Sequence, residues 1–282
     1  MKFIMYHYIK NDEKYYKNFR YLRLKNFIKQ LNYFEKKYGI CDYEEIINFH
    51  KNPKSKKIIL TFDDGLKEHY KYVYKILKKR GKSAIFFIPS KILINNSFLK
   101  VHKIHFLVAK VKITKLLDQL DGLLKKYKIT NLKSYPNFNK SYFSHNDPQK
   151  VNLFKRYLNY YIDHYSSEMI VSDLMKINKI NPKNKDFYLN KKNLLTMSKN
   201  KMHIGSHSYS HPVLSNINFN DQKHEIFFSS RMLQQVIGKK IEFFSFPYGI
   251  KNTYNQSTCE LLTKIGVKHS FIADNHRDTS NR

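Results

Sequence analysis

The chain has 282 residues and a formal net charge of +30 at pH 7. Its content of 41% hydrophobic and 15% aromatic residues excludes an intrinsically disordered chain. This length allows one large α/β domain, or a domain that carries a sizeable insertion. The lysines are scattered through every segment without an RNA-recognition, zinc-finger or homeodomain signature. We therefore predict no nucleic-acid partner, while contact of the basic surface with a membrane stays an open alternative.

The amino-terminal residues lack the apolar region and the small-residue cleavage site of a secretory signal. No run approaches the roughly 18 apolar residues that a membrane span needs. From these features we predict a cytoplasmic protein. Cys41 and Cys259 permit one disulfide but do not require it, and two thiols are too few for a structural zinc site.

Strand and helix patterns alternate over much of the chain. The first strand pattern is "FIMYHYI", and a second, "KKIILTF", is followed by a helix that ends at Gly81 and by the strand "SAIFFIPS". Late in the chain come the strand "KMHIGS", a helix that ends at Gly238, the strand "IEFFSFPYG", the helix "STCELLTKIG" and the strand "VKHSFIAD". This order predicts a parallel sheet or barrel, in which function lies where the strands end.

The pattern changes between residues 91 and 187. Two long stretches there have helical periodicity, and a polar loop with two prolines separates them. We therefore predict an α/β domain formed by residues 1–90 and 188–282, interrupted by a mostly helical insertion over residues 91–187.

Two adjacent aspartates, Asp63 and Asp64, follow the strand "KKIILTF" and precede a glycine. Neighbouring side chains at a strand exit point in different directions, so one carboxylate could bind a metal while the other faces a substrate. The alternative is a turn with an Asx cap that leads into the helix from Leu66. Taken alone, the pair favours the turn.

A pair of histidines four residues apart, His207 and His211, occurs in "HSYSH" directly after a predicted strand. This spacing can bring two imidazoles to one metal ion. Two histidines and one carboxylate form the ligand set of a catalytic metal site with open positions. The third segment, "FPYG", is either a simple Pro-Gly turn or a sharp exit that aims the backbone of Tyr248 at a ligand.

Taken together, "TFDDG", "HSYSH" and "FPYG" resemble the first three motifs of the polysaccharide deacetylase family, the NodB-homology group or carbohydrate esterase family 4. The resemblance covers residues 58–89 and 189–274. It implies an α/β fold, a distorted (β/α) barrel, here with a mainly helical insertion. It also implies a divalent metal, zinc before cobalt or nickel (Zn2+, Co2+ or Ni2+), and an N-acetylated oligo- or polysaccharide as substrate.

The resemblance assigns roles residue by residue. Asp63 becomes the general base, and Asp64, His207 and His211 become the metal ligands. Tyr248 would offer its backbone N–H to the oxyanion. Such a constellation suits hydrolysis of an acetamide, because it combines a Lewis acid, a base and an oxyanion donor.

The sequence departs from the family pattern in three places. Ser245 stands where many members have an arginine that pairs with the catalytic aspartate, the chain has no tryptophan for the fourth motif, and the fifth motif with its acid histidine is not evident. As substitutes we predict Arg277 beside Asp63 and His7 as the general acid, since similar "YH" strands open a subgroup with permuted motifs. A core histidine is the alternative for His7.

His102 and His105 could also be offered as metal ligands. They lie three residues apart on a probable helix, without a carboxylate nearby in sequence. We therefore interpret them as surface or packing residues of the insertion.

The leading hypothesis is a metal-dependent N-deacetylase that acts on a surface polysaccharide or its precursor. Its rival is a catalytically degenerate protein of the same fold that binds glycans or anionic surfaces through its basic residues. The missing arginine, tryptophan and fifth motif favour the rival, whereas the three motifs in order favour the enzyme.

Overall fold

The structure is a computed structural model that describes residues 1–11, 19–94, 97–130, 132 and 147–273. Its strands within these residues are β1 (Lys2–Tyr6), β2 (Ile9–Lys10), β3 (Leu22–Arg23), β4 (Ile58–Phe62), β5 (Ile85–Ile88), β6 (His203–Ser206), β7 (Phe243–Ser245) and β8 (His269–Phe271). Its α-helices there are α1 (Leu24–Lys37), α2 (Tyr43–Ile47), α3 (Lys75–Lys79), α4 (Lys100–Lys110), α5 (Ile113–Lys126), α6 (Gln149–Arg156), α7 (His164–Ile177), α8 (Asn184–Phe187), α9 (Lys191–Lys199), α10 (Phe219–Ile237) and α11 (Gln256–Lys264).

The main sheet has the strand order β1-β4-β5-β6-β7-β8, and every neighbouring pair is parallel. This confirms the predicted parallel sheet. A short parallel pair, β2 and β3, stands apart from it. Helix α10 ends at Gly238, whose φ of 69° closes the helix in the left-handed region, as the sequence predicts.

The two outer strands of the sheet approach each other. The rings of Phe3 on β1 and Phe271 on β8 meet edge to face, with their centroids 5.2 Å apart. The sheet therefore curls into a distorted barrel, and its outer strands meet through side chains. This is the fold class that the sequence predicts.

Both faces of the inner strand β5 are buried. On β5, Ile85 and Phe87 point into the curled interior, whereas Phe86 and Ile88 pack with the surrounding helices. This alternation has the period of a strand, and its two apolar faces are typical of a parallel sheet covered by helices.

Helices α4 to α7 fall within residues 91–187. Their apolar side chains, among them Phe106, Leu120 and Leu174, belong to the same hydrophobic cluster as Phe62 and Phe86 of the sheet. The helices therefore pack directly on the barrel. Their status as an insertion stays a prediction.

Among the described residues, no helix combines the length and the apolar character that crossing a membrane requires.

Candidate metal centre

The polar residues singled out by the sequence lie at one edge of the sheet, where parallel strands end. His7 follows β1, Asp63 and Asp64 follow β4, His207 follows β6, and Ser245 is the last residue of β7. Because all these strands are parallel, their carboxyl ends deliver the side chains to one place.

Backbone hydrogen bonds extend the strand pairing into the motifs. The amide of Asp63 donates to the carbonyl oxygen of Tyr6 at 3.0 Å, and the amide of His207 donates to that of Ile88 at 3.1 Å. Both motif residues are thus held by the rigid sheet and not by a free loop.

The predicted ligands Asp64, His207 and His211 come together. Oδ1 of Asp64 lies 3.6 Å from Nε2 of His211 and 3.9 Å from Nε2 of His207. One ligand atom from each residue lies within 4.8 Å of the others, and all three residues are buried. The spacing of these atoms suits three ligands of one divalent ion.

The hydrogen-bonding pattern fits a cation at this point. Nδ1 of His207 donates to the carbonyl oxygen of Ser245 at 2.7 Å, so Nε2 keeps its lone pair directed at Asp64. Among the described residues, Oδ1 of Asp64 is buried without a hydrogen-bond partner. A buried carboxylate oxygen that faces the lone pair of His207 needs a positive partner, and a metal ion supplies one.

His211 is held in a strained but well-packed position. Its φ is 64°, its amide donates to Oγ of Ser208 at 3.1 Å, and its ring packs edge to face on Tyr248 with centroids 4.9 Å apart. Burial, with a smaller contribution from the neighbouring His207, lowers the pKa of His211 from 6.5 to about 3. The imidazole is thus neutral at physiological pH, which is the form that ligates metals.

A buried carboxylate that the sequence analysis missed supports the "HSYSH" loop. Glu225 on α10 accepts hydrogen bonds from the amides of Tyr209 and Ser210 at 2.9 and 2.7 Å, and from the hydroxyl of Ser210 at 2.6 Å. These bonds fix the loop between the two candidate ligands. No local signal in the helix sequence marks this residue, because its partners are brought to it only by the fold.

The two adjacent aspartates lie in different electrostatic environments. Burial raises the pKa of Asp63, although the neighbouring His207 and His7 oppose the shift. Burial also acts to raise the pKa of Asp64, but His102, which is within hydrogen-bond distance of this carboxylate, and further histidines nearby hold it well below the usual value. Asp64 is therefore the firmly ionised carboxylate, and Asp63 is the more basic one.

Ser245 touches Asp63 from the position where the resemblance leads one to expect an arginine. Its hydroxyl donates to Oδ2 of Asp63 at 3.4 Å, which is a long and weak hydrogen bond. Oδ1 of Asp63 is buried without a hydrogen-bond partner among the described residues. One oxygen of this carboxylate is therefore available for a proton.

The side chain of His7 lies at the mouth of the site. Its Nε2 is 3.9 Å from Oδ2 of Asp64, and 39% of the side chain is exposed. The buried His69 supports this segment, since its Nε2 donates to the carbonyl oxygen of His7 at 2.8 Å. A donor role for His69 Nε2 follows because a carbonyl oxygen only accepts.

Of the two alternatives that we predicted for His102, a surface or a packing residue of the insertion, the structure shows the packing residue, but our statement that no carboxylate lies near it is wrong. Its side chain is fully buried, and its Nε2 lies 3.2 Å from Oδ2 of Asp64. Because 38 positions separate the two residues, only the packing of α4 on the barrel brings them together. The available signal was the four-residue spacing of Phe98, His102 and Phe106, which places the histidine on the apolar face of the helix. His105 instead hydrogen-bonds Tyr8, with 2.9 Å between Nδ1 and the hydroxyl oxygen.

Tyr248 lies beside the candidate ligands. Its hydroxyl donates to Oδ1 of Asn159 at 2.9 Å, and its ring packs on that of Tyr160 with centroids 5.5 Å apart. The predicted "FPYG" turn therefore contacts the helical segment between α6 and α7. Arg277, the predicted partner of Asp63, lies outside the described residues.

Non-glycine residues in the left-handed region mark all three motifs. The φ angles are 74° for Asp64, 64° for His211 and 64° for Tyr248. Each costs of order 1–3 kcal/mol, and such strain is concentrated at functional sites. The surrounding fold thus holds these residues in conformations that they would not adopt on their own.

Comparison with protein families gives one match over most of the chain. A family model described as polysaccharide deacetylase matches residues 50–129 and 144–270. No match to the sequence was found among curated proteins.

Several solved structures share the fold. The deacetylase PplD of Streptococcus pyogenes, in complex with acetate, is 16% identical, with a TM-score of 0.54 over 95% of this chain and 81% of that one. IcaB of Ammonifex degensii is 15% identical, with a TM-score of 0.56 over 96% and 82% of the two chains. A de-N-acetylase of Aggregatibacter actinomycetemcomitans is 17% identical, with a TM-score of 0.55 over 96% and 87%. At these identities the likeness establishes the fold.

Proposed function

The chain belongs to the polysaccharide deacetylase family of hydrolases, and from this membership we propose that it is a metal-dependent enzyme that removes acetyl groups from N-acetylated sugars. The substrate would be a surface polysaccharide or its precursor, and the bond cleaved would be a carbon–nitrogen bond other than a peptide bond. The observation that carries the proposal is the convergence of Asp64, His207 and His211 beside Asp63 at the strand ends.

Asp64, His207 and His211 would hold the metal ion. Two imidazoles and one carboxylate suit zinc, with cobalt and nickel as alternatives, and leave positions open for water and substrate. A bound ion of this kind supplies a Lewis acid that polarises the acetyl carbonyl and makes water a better nucleophile.

Asp63 would act as the general base. Its unpaired Oδ1 offers a site for the proton of the attacking water, and burial raises the pKa of this carboxyl group. A raised pKa makes the carboxylate a stronger base, which helps proton removal near neutral pH.

His7 would act as the general acid that protonates the departing amine. It is half-buried at the mouth of the site, whereas both ring nitrogens of the nearby His102 are engaged inside the protein. Of these two imidazoles, only that of His7 is accessible to a substrate. The amide of Tyr248 would donate to the oxyanion, and Arg277 would support Asp63.

Where the protein acts is a separate proposal. Cytoplasmic action, with the basic surface available for peripheral contact with anionic membranes, follows from the sequence prediction. Fractionation of cells that express the tagged protein would test it.

Acetate release tests the proposed activity. An oligomer of N-acetylglucosamine should yield acetate, thorough chelation should abolish the yield, and zinc or cobalt should restore it. Activity that survives complete removal of the metal would contradict the mechanism.

Asp63→Asn separates the enzyme from its rival, a binding protein of the same fold. In the enzyme this change should lower kcat by about 10²–10⁴-fold and leave zinc binding intact, because Asp63 is not among the proposed ligands. If the parent protein releases no acetate and both proteins bind the oligomer equally, the binding hypothesis stands instead.

A further inference from the structure

We propose that His102 is a positioning residue for the metal centre: it holds Asp64 so that one carboxylate oxygen faces the metal while the other is tied to the protein. The inference rests on the proposed function, because it gives Asp64 the role of a ligand. It adds helix α4 to the elements that build the site.

A chain of hydrogen bonds leads from the backbone of α4 to the carboxylate. The amide of Leu99 donates to the hydroxyl oxygen of Tyr188 at 3.2 Å. That oxygen lies 2.5 Å from Nδ1 of His102, and Nε2 of His102 lies 3.2 Å from Oδ2 of Asp64. All four residues are buried.

The chemistry of the groups fixes the direction of this chain. A carboxylate only accepts, so Nε2 of His102 carries the hydrogen and donates it to Asp64. A neutral imidazole then has a lone pair on Nδ1, which accepts from the hydroxyl of Tyr188. The hydroxyl oxygen is left to accept from the Leu99 amide, so each donor has one acceptor.

The two oxygens of Asp64 therefore have different tasks. Oδ2 is occupied by His102, whereas Oδ1 is unpaired among the described residues and faces His207 and His211. A carboxylate fixed in this way offers one oxygen to the ion in a defined orientation. Hydrogen bonds to metal ligands commonly have this effect, and their loss typically costs 10–100-fold in metal affinity.

His102 itself is rigidly held. Its ring packs among those of Phe98, Phe187 and Tyr188, with the centroid of Phe187 5.2 Å away. The segment after Tyr188 is also tied to the aspartate loop, since the amide of Leu189 donates to the carbonyl oxygen of Gly65 at 2.9 Å. The imidazole cannot turn away from Asp64 without disturbing this packing.

Replacing His102 by phenylalanine removes the donor and keeps an aromatic ring of similar size. The matched control is His105→Phe, on the same helix, which removes a partly buried imidazole that bonds Tyr8 and not Asp64. Zinc affinity of each protein is measured by competition with a chromogenic chelator. We expect His102→Phe to bind zinc about 10–100-fold more weakly than the parent, and His105→Phe to stay within about threefold.

The variant His102→Gln and a ¹⁵N NMR spectrum of the parent protein complete the test. His102→Gln keeps an N–H donor at the end of the side chain, so it should regain part of the lost affinity; it also serves if the phenylalanine variant does not fold. In the metal-free parent protein, the ¹⁵N chemical shifts of His102 should report hydrogen on Nε2 and none on Nδ1.

The outcomes distinguish the two proposals. If the parent binds zinc and releases acetate while His102→Phe and His102→Gln bind zinc as tightly as the parent does, the positioning role is wrong and the enzyme proposal stands. An Nε2 of His102 that carries no hydrogen also overturns the positioning role, because it could not donate to Asp64. If the parent does not bind zinc at the Asp64 site, both proposals fall.

Discussion

The hydroxyl of Ser245 donates a hydrogen bond to Oδ2 of Asp63 at 3.4 Å, while the carbonyl oxygen of the same serine accepts from Nδ1 of His207. One residue thus supports both the proposed base and a proposed metal ligand. The two contacts use different atoms, so mutation can separate them.

Ser245→Ala should shift the pH dependence of the reaction and leave the metal site intact. The hydroxyl lowers the pKa of Asp63 because it stabilises the carboxylate, so its removal should raise that pKa. A base must be ionised, and the acidic limb of the kcat/KM profile should therefore move to higher pH. Zinc affinity should not change, since the carbonyl that orients His207 is retained. A limb that moves to lower pH would contradict this account.

His7→Ala should reduce turnover by about 10²-fold or more, because the departing amine would lose its proton donor. Zinc affinity should stay within a few-fold of the parent value. The control is His50→Ala, which removes a histidine whose ring contacts that of His269 at the start of β8, away from the strand ends that carry the site. If His7→Ala turns over within a few-fold of the parent, His7 is a structural residue.

Acid should destabilise the protein partly through His203. This imidazole stacks on Tyr43 with centroids 4.1 Å apart, and burial lowers its pKa from 6.5 to about 4. Below pH 6.5 the unfolded state binds the proton more readily, so the stabilisation present above pH 6.5 is lost as the pH falls toward 4. The full effect is about 3 kcal/mol.

His203→Phe provides the measurement for this effect. Urea unfolding of the metal-free parent and of the variant is compared at about pH 7.5 and about pH 4.5. The variant should lose less free energy of unfolding between these two conditions, because phenylalanine takes up no proton. Equal losses in the two proteins would show that His203 does not contribute to acid sensitivity.

Gly65→Ala should lower the free energy of unfolding by about 1–3 kcal/mol. Gly65 has a φ of 60°, and a Cβ there would collide with Cδ1 of Ile92 and lie 3.3 Å from Cδ1 of Ile88. Gly81→Ala is the control, because Gly81 has a φ of 64° and no atom within 4 Å of an added Cβ. The difference between the two variants in free energy of unfolding measures the effect of the collision alone. Equal losses of free energy would mean that Ile92 and Ile88 move aside without destabilising the protein.

The sequence predicted those parts of the site that follow directly from strand ends. Asp64, His207 and His211 each follow a recognisable strand, and parallel strands bring their carboxyl ends to one edge whatever the length of the connections. Local pattern therefore sufficed to place residues that lie far apart in the chain.

Other features depend on packing between elements and escaped the sequence analysis. His102 reaches Asp64 because α4 rests on the barrel, and Glu225 reaches the histidine loop because α10 does. The left-handed backbone conformation of Asp64 and Tyr248 was also not predicted from the sequence, since glycine is the residue that usually adopts this conformation. At these two left-handed positions the tertiary structure overrides what the neighbouring residues favour.

The edge-to-face contact between Phe3 and Phe271 has a consequence for the order of motifs in genes of this fold. Because β1 and β8 contact each other there, the strand that lies between β8 and β4 in the barrel could be encoded at either end of the chain. It could come before β4, as β1 does here, or after β8, and it would keep the same position in the barrel. Circular permutation across this seam would carry His7, the proposed general acid, from one end of a gene to the other without moving it in the barrel. A search for the proton donor in such proteins should therefore follow the position around the barrel and not the order along the chain.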